Sequence, residues 1–426
     1  MSYVEEISRL LTDHLAGWTL VTLSTLLAVG VLIWIFKAFV LQISPRLGLW
    51  IILWIIRGLA YLTWKMRGLG LGFDLEFGKT ASQLDLDLQY LTTVTAPAMA
   101  DYKPELGYTP IHVLYATDRA AADDLQDFYT SARGDLSFGL ATVSIPRRHR
   151  PGHLERPSLL RFQIREDPQK HISIIDVAEM TSDQWLSVLR HSLPNDETRS
   201  ILLFVHGYNV AFSEAVRRTA QLAYDLAFAG IPVLYSWPSS GTIKGYTADE
   251  ATIDWTACNL EKVLQLIASS GLDEINAVAH SMGNRALTTA ISRFAERNEP
   301  IHFNQMVLAA PDIDAKLFLD YLAPRLVELS RRCSLYASSG DQALALSQTV
   351  HAFPRAGEGE PNLVLAGGID TIDASPVDMD LLGHGYFAEN KQVIDDLFML
   401  IRHGLSPDDR NLHRRNKGGV AYWLFP

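Results

Sequence analysis

Glu274-Ile275-Asn276-Ala277-Val278-Ala279-His280-Ser281-Met282-Gly283-Asn284 decides how this chain is read. The first six residues form a short apolar, β-branched run, which predicts a buried strand. From Arg285 to Arg297, apolar residues recur at helical spacing (Ala286, Leu287, Ala290, Ile291, Phe294), which predicts a helix. A serine set between small residues where a strand turns into a helix is the nucleophile-elbow arrangement. The turn is tight enough that bulky neighbours would clash. Gly283 satisfies this on one side, and Ala279 stands in for the more usual first glycine on the other. Such a turn lifts the Ser281 hydroxyl out of the sheet. It also leaves the Met282 amide at a helix start, where backbone N–H groups lack partners and can receive an anion. Taken alone the pattern is weakly specific, and the flanking strand and helix make it strong.

Upstream, Ser200-Ile201-Leu202-Leu203-Phe204-Val205-His206-Gly207-Tyr208-Asn209 is a run of apolar residues that ends in His-Gly. It predicts a central parallel strand stopping at a sharp loop. In hydrolases with such an elbow, the loop after this strand supplies a second oxyanion donor. By position that donor is the Tyr208 amide, working with the Met282 amide. Preorganised donors of this kind are typically worth about 3–4 kcal/mol of barrier each. His206 is read as a structural histidine bonded to backbone. His280, beside the serine, is expected to point away from it.

The acid and the base should follow the serine in chain order, acid first. Two carboxylates follow strand-like runs: Asp312 after Gln305–Ala310, and Asp341 after Cys333–Gly340. Parallel strands bring their carboxyl ends together, so both runs end at the sheet edge that holds Ser281. Asp341 is favoured because the later strand is the commoner acid position. Asp312 is the alternative acid, or else a cap for a helix starting near Ala315. Of the thirteen histidines, those before Ser281 break the order. His302 comes too early, and His403 and His413 lie in or after the last helix. His351 and His384 remain. His384 is preferred, since Leu382-Gly383-His384-Gly385 sets it on a loop just before an amphipathic helix.

Several stretches now carry a resemblance. They are Val205–Asn209, Tyr235-Ser236-Trp237-Pro238-Ser239, Ala279–Asn284, Ala309-Ala310-Pro311-Asp312, Tyr336–Asp341 and Leu382-Gly383-His384. Upstream, Tyr115-Ala116-Thr117-Asp118-Arg119 and Val143-Ser144-Ile145-Pro146 also fit. Together they resemble a bacterial α/β-hydrolase family of poorly defined function within the esterase/lipase superfamily. The similarity covers roughly residues 105–424. It implies an α/β-hydrolase fold and a serine-hydrolase site, and it brings no assigned substrate.

Length and composition agree with that division. A chain of 426 residues can bury one large core and still carry an appendage. From Ser200 strand and helix patterns alternate, with a helix around Glu214–Ala227, a strand at Ile231–Ser236 and a helix at Trp255–Ala268. This rhythm predicts a mostly parallel sheet with helices on both faces. The earlier runs Ile111–Tyr115, Leu140–Ile145, Leu159–Ile164 and Ile172–Ile175 read as strands, some antiparallel at the sheet edge. Cys258 and Cys333 sit in apolar patterns and read as buried free thiols. No metal-ligand spacing and no Gly-rich phosphate loop occurs, so no metal or cofactor is expected. A net charge of −11 without a basic patch argues against nucleic acid as a partner.

The amino terminus reads differently. Gly17 to Phe36 is an uninterrupted uncharged run, long enough to cross a bilayer as a helix. Leu47 to Trp64 is a second apolar run broken by Arg57. Five of the nine tryptophans fall in the first 64 residues, and indoles favour the headgroup layer. Residues 1–67 therefore read as a membrane anchor of one transmembrane helix or a hairpin, 68–104 as a linker, and 105–426 as the catalytic domain. Lys37, Arg46, Arg57, Lys65 and Arg67 follow the first run. This bias places the catalytic domain on the cytoplasmic side of a bacterial inner membrane if that run spans alone.

The functional expectation is a membrane-anchored serine hydrolase acting on a small-molecule or lipid acyl substrate. Ser281 is the nucleophile, His384 the base and Asp341 the acid. Two other readings share the fold: a catalytically inactive binding or scaffold protein at the membrane, and an acyltransferase using the same triad.

Overall fold

Eleven strands form one sheet in the computed structural model, which describes residues 106–426 apart from 123–127, 158–165, 192–198, 241–244, 298, 340–352 and 378–389. The anchor expected at 1–67, the linker at 68–104, and Asp341, His351 and His384 lie outside the described residues. The chain divides into two units, Met1–Lys79 and Thr80–Pro426, and all described residues belong to the second.

In chain order the strands are β1 (Tyr108–Ala121), β2 (Tyr129–Pro146), β3 (Ser173–Met180), β4 (Ser200–Val205), β5 (Ile231–Ser236), β6 (Glu274–His280), β7 (Phe303–Ala309), β8 (Ser330–Ala337), β9 (Ile369–Asp373), β10 (His413–Lys417) and β11 (Val420–Leu424). They lie in the order β10-β11-β9-β8-β7-β6-β4-β5-β1-β2-β3. From β11 through to β1 every neighbouring pair is parallel. The β1–β2, β2–β3 and β10–β11 pairs are antiparallel. The mostly parallel sheet and its antiparallel edge are as the sequence predicts, and Leu159–Ile164 lies outside the described residues. The terminal hairpin of β10 and β11 is not anticipated.

The helices are α1 (Ser182–His191), α2 (Phe212–Asp225), α3 (Tyr246–Ser269), α4 (Gly283–Arg297), α5 (Ala315–Leu317), α6 (Ala323–Glu328) and α7 (Lys391–His403), with a π-helical turn, Phe318–Leu322, between α5 and α6. Alternation along β4 shows why two helical layers form. Ile201, Leu203 and Val205 pack with Leu260 and Leu264 of α3 and Leu287 and Ile291 of α4. Leu202 and Phe204 pack on the other face with Val216 and Leu222 of α2 and Leu397 and Leu400 of α7. Every β4 residue is buried, as a strand covered on both faces requires. Each large apolar side chain so placed contributes roughly 1.5–3 kcal/mol.

The cysteines separate. Cys333 is buried in β8, but Cys258 is exposed on α3, which corrects the expectation that both are buried. Its helical neighbours Ala257 and Leu260 face the core, while position 258 turns outward. Among the described residues no helix is long and apolar enough to cross a membrane.

Candidate active site

Ser281 follows β6 directly and stands one residue short of the cap of α4. Its backbone takes φ +48, a left-handed conformation that costs a non-glycine residue on the order of 1–3 kcal/mol. The surroundings hold it there. The Ser281 N–H donates to the Ala309 carbonyl at 2.9 Å. The Ser281 carbonyl accepts from the Asn284 side-chain amide at 3.0 Å and the Asn284 backbone N–H at 3.1 Å. The same Asn284 amide reaches the Ala309 carbonyl at 3.0 Å. The turn after β6 is thus stitched to the end of β7.

The small residues are explained by the same geometry. A Cβ on Gly283 would lie 2.4 Å from the His206 carbonyl oxygen and 2.8 Å from that of Val205. The first turn of α4 therefore rests directly on the β4 backbone. A Cβ on Gly207 would lie 2.6 Å from His280 Nδ1 and 3.0 Å from Ser281 Cβ. Ala279 is fully buried. Asn209 after β4 and Ala310 after β7 also have positive φ, +60 and +43. Three strained turns meet at the carboxyl edge of the sheet, where ligands bind in open α/β sheets.

The loop after β4 brings Tyr208 beside this edge. Its ring meets Tyr246, the first residue of α3, edge-on at 5.5 Å. His206 is wholly buried and stacks on Trp237 at 5.2 Å with an 11° interplanar angle. Trp237 Nε1 donates to the His206 carbonyl at 2.7 Å. Burial, and then the neighbouring Arg119 charge, hold the His206 imidazole well below its usual value. Burial, and then Arg218, lower His280 to about 4. Both rings are neutral at pH 7, in keeping with their structural reading, and neither has the basicity of a general base.

Asp312 stands next to the elbow, its backbone N–H 3.3 Å from the Ser281 carbonyl. Its carboxylate is engaged at both oxygens. Arg355 Nε pairs with Oδ1 at 2.9 Å, with both side chains buried, and the Tyr246 hydroxyl donates to Oδ2 at 2.6 Å. The capping role considered for Asp312 belongs instead to Asp314, which accepts from the backbone N–H of Lys316 and Leu317, each at 2.9 Å. Asp341 and His384, the expected acid and base, are outside the described residues, as is His351.

Sequence reasoning missed Tyr246, Arg355 and Asn284. Asn284 stood in the quoted elbow without a role. Arg355 lies in an irregular Pro-Arg-Ala-Gly-Glu-Gly segment, where no periodicity signals a partner. That segment is tied to the β7 exit by the Gly357 N–H donating to the Pro311 carbonyl at 2.9 Å. The assembled geometry has a strained serine at the sheet edge, a helix start after it and the loop after β4 packed close by, a Cβ on Gly207 lying 3.0 Å from Ser281 Cβ.

A family described as alpha/beta hydrolase of unknown function (DUF900) matches residues 180–403. No curated protein matches the chain. Among solved structures, the chain is similar to a fungal esterase from Rhizomucor miehei, at 11% identity and a TM-score of 0.29, covering 76% of this chain and 91% of that one. It is also similar to a hyperthermophilic esterase from the archaeon Pyrobaculum calidifontis, at 12% identity and a TM-score of 0.21, covering 86% and 89%.

Proposed function

The chain belongs to this family of alpha/beta hydrolases, and from that premise we propose that it is a serine hydrolase cleaving a carboxylic ester or related acyl bond through an acyl-enzyme on Ser281. The observation that carries the reading is the left-handed backbone of Ser281 at a strand-to-helix turn. Strain of this kind persists only where the surroundings over-determine it, and it clusters at functional sites.

In this reading the Ser281 oxygen attacks the acyl carbon while His384 takes the hydroxyl proton. The carbonyl π electrons move onto oxygen, where the Tyr208 and Met282 amides meet the charge. The tetrahedral intermediate collapses, the bond to the leaving group breaks, and His384 returns the proton to that group. Water then repeats the sequence on the acyl-enzyme and frees the acid. Asp341 orients His384 and stabilises its protonated form. The engagement of both Asp312 oxygens supports Asp341 over Asp312 in that role. This chemistry asks for no cofactor.

A short-chain nitrophenyl ester tests the reading. The wild-type chain should turn it over, and a folded Ser281→Ala variant should not. Equal turnover by both would contradict it. We propose further that the Gly17–Phe36 run anchors the enzyme in a membrane and brings it to acyl substrates there. Sedimentation with membranes by the full chain, lost on deleting residues 1–67, tests that part. A full chain that stays in the supernatant would refute it.

A further inference from the structure

Arg119 is 2% exposed and lies just past the Thr117–Ser236 pairing of β1 with β5. Its guanidinium carries five N–H groups, and five acceptors surround them. Nε donates to Ser236 Oγ at 2.9 Å. Nη1 reaches the carbonyls of Thr130 and Ser239, each at 3.3 Å. Nη2 reaches the Val210 carbonyl at 2.7 Å and His206 Nε2 at 3.3 Å. The acceptors come from β2, from the loop after β4, and from the end of β5 and the loop that follows it, so one side chain fastens the loop that carries Tyr208.

The contact to His206 has the more specific consequence. An arginine N–H can only donate, so Nε2 must be an acceptor and the ring proton must sit on Nδ1. His206 Nδ1 lies 2.8 Å from the Gly207 carbonyl, which can only accept. That carbonyl shares its peptide unit with the Tyr208 N–H. In a trans peptide the C=O and N–H point in opposite directions. Holding the Gly207 oxygen inward on His206 therefore turns the Tyr208 N–H outward.

We infer that Arg119 is a positioning residue for the oxyanion site: together with Ser236 Oγ, 3.3 Å from Nε2, it holds the His206 ring by Nε2, and through the Nδ1 bond to the Gly207 carbonyl it aims the Tyr208 amide. The Asn209–Val210 peptide, two further along the loop, is fixed too. The Val210 N–H donates to Ser239 Oγ at 3.3 Å, and that hydroxyl donates to Asp249 Oδ2 at 2.7 Å. Burial and the adjacent guanidinium both disfavour a protonated His206, which keeps the ring in the one-proton form this relay needs. The inference rests on Ser281 being the nucleophile.

The test uses the full chain with Arg119→Met and Arg119→Lys, and Ser236→Ala as a milder variant in case the Met variant does not fold. Two readouts are needed. The first is kcat and KM on a soluble nitrophenyl ester, per Ser281 site titrated with a phosphonate. The second is the ¹⁵N NMR resonance of His206 Nε2, the ring nitrogen that Arg119 contacts. Losing one oxyanion donor typically lowers kcat by about 10²–10³-fold. Arg119→Met should approach that loss with KM nearly unchanged, Arg119→Lys should recover part of it, and the His206 Nε2 ¹⁵N resonance should move in the Met variant, where the ring nitrogen has lost its arginine donor. A folded Arg119→Met chain with wild-type kcat per site, or with the His206 Nε2 resonance unmoved, would overturn the inference. A wild-type chain that neither titrates nor turns over ester would instead overturn the Ser281 reading, and the NMR comparison would still test the hold of Arg119 on His206.

Discussion

Arg355 Nε sits 2.9 Å from Asp312 Oδ1, and both side chains are buried within reach of the elbow. A carboxylate committed in this way, with Tyr246 on its other oxygen, is part of the framework that shapes the site. Breaking a buried ion pair by removing one partner costs roughly 3–5 kcal/mol. Asp312→Asn should therefore lower the unfolding free energy on that scale in denaturant melts, while kcat of the folded fraction changes little. Asp341→Asn should do the opposite, lowering kcat on the order of 10⁴-fold, as in serine proteases whose triad carboxylate becomes an amide. If the two effects were exchanged, the acid would follow β7 and not β8.

Gly283→Ala tests the packing of the elbow. The added methyl would meet the His206 and Val205 carbonyl oxygens at 2.4 and 2.8 Å, and these belong to β4 and its exit, with no flexible side chain to yield. Overpacking of this kind costs about 1–3 kcal/mol. The variant should melt earlier and lose activity, because moving α4 away from β4 moves Met282 with it. An active variant with an unchanged melting temperature would show that the turn has slack.

The third prediction concerns pH. His149 lies between two carboxylates, with Nδ1 2.8 Å from Glu155 and Nε2 2.8 Å from Asp225. Burial works to lower its pKa, but the bonds and charges of Asp225 and Glu155 together outweigh that and raise it from 6.5 to about 9. A raised folded value means the proton binds more tightly in the native state. The stabilisation is therefore fully present below about pH 6.5 and is lost as pH climbs toward 9. Its ceiling is about 3 kcal/mol. Wild-type stability should fall between pH 6.5 and 9 more steeply than that of His149→Gln. Parallel pH profiles for the two chains would contradict a protonated His149.

Much of this was legible in the sequence because it depends on local pattern. The β4 and β6 strands, the elbow between them and the alternation with α2, α3 and α4 are written in continuous apolar runs and helical spacing. The antiparallel edge of β1, β2 and β3 followed from the lack of helices between them. What escaped was long-range or irregular. Arg119 meets His206 and Val210 across 87 and 91 residues of chain, and no periodicity records such a pairing. Arg355 and Asp312 meet from segments far apart in the chain, and Pro354–Gly359 carries no apolar periodicity to announce the pairing. The β10–β11 hairpin was marked by Gly418-Gly419, both at positive φ, a turn signal of the two-residue hairpin kind. It was overlooked because β10 is fully exposed and shows no apolar alternation.

Covalent labelling tests the assignment of Ser281 most directly. The full chain, treated with a fluorophosphonate and digested, should carry the adduct on Ser281, and a folded Ser281→Ala chain should carry none. Labelling that persists in Ser281→Ala, or a folded wild type that takes up no probe, would contradict Ser281 as the nucleophile.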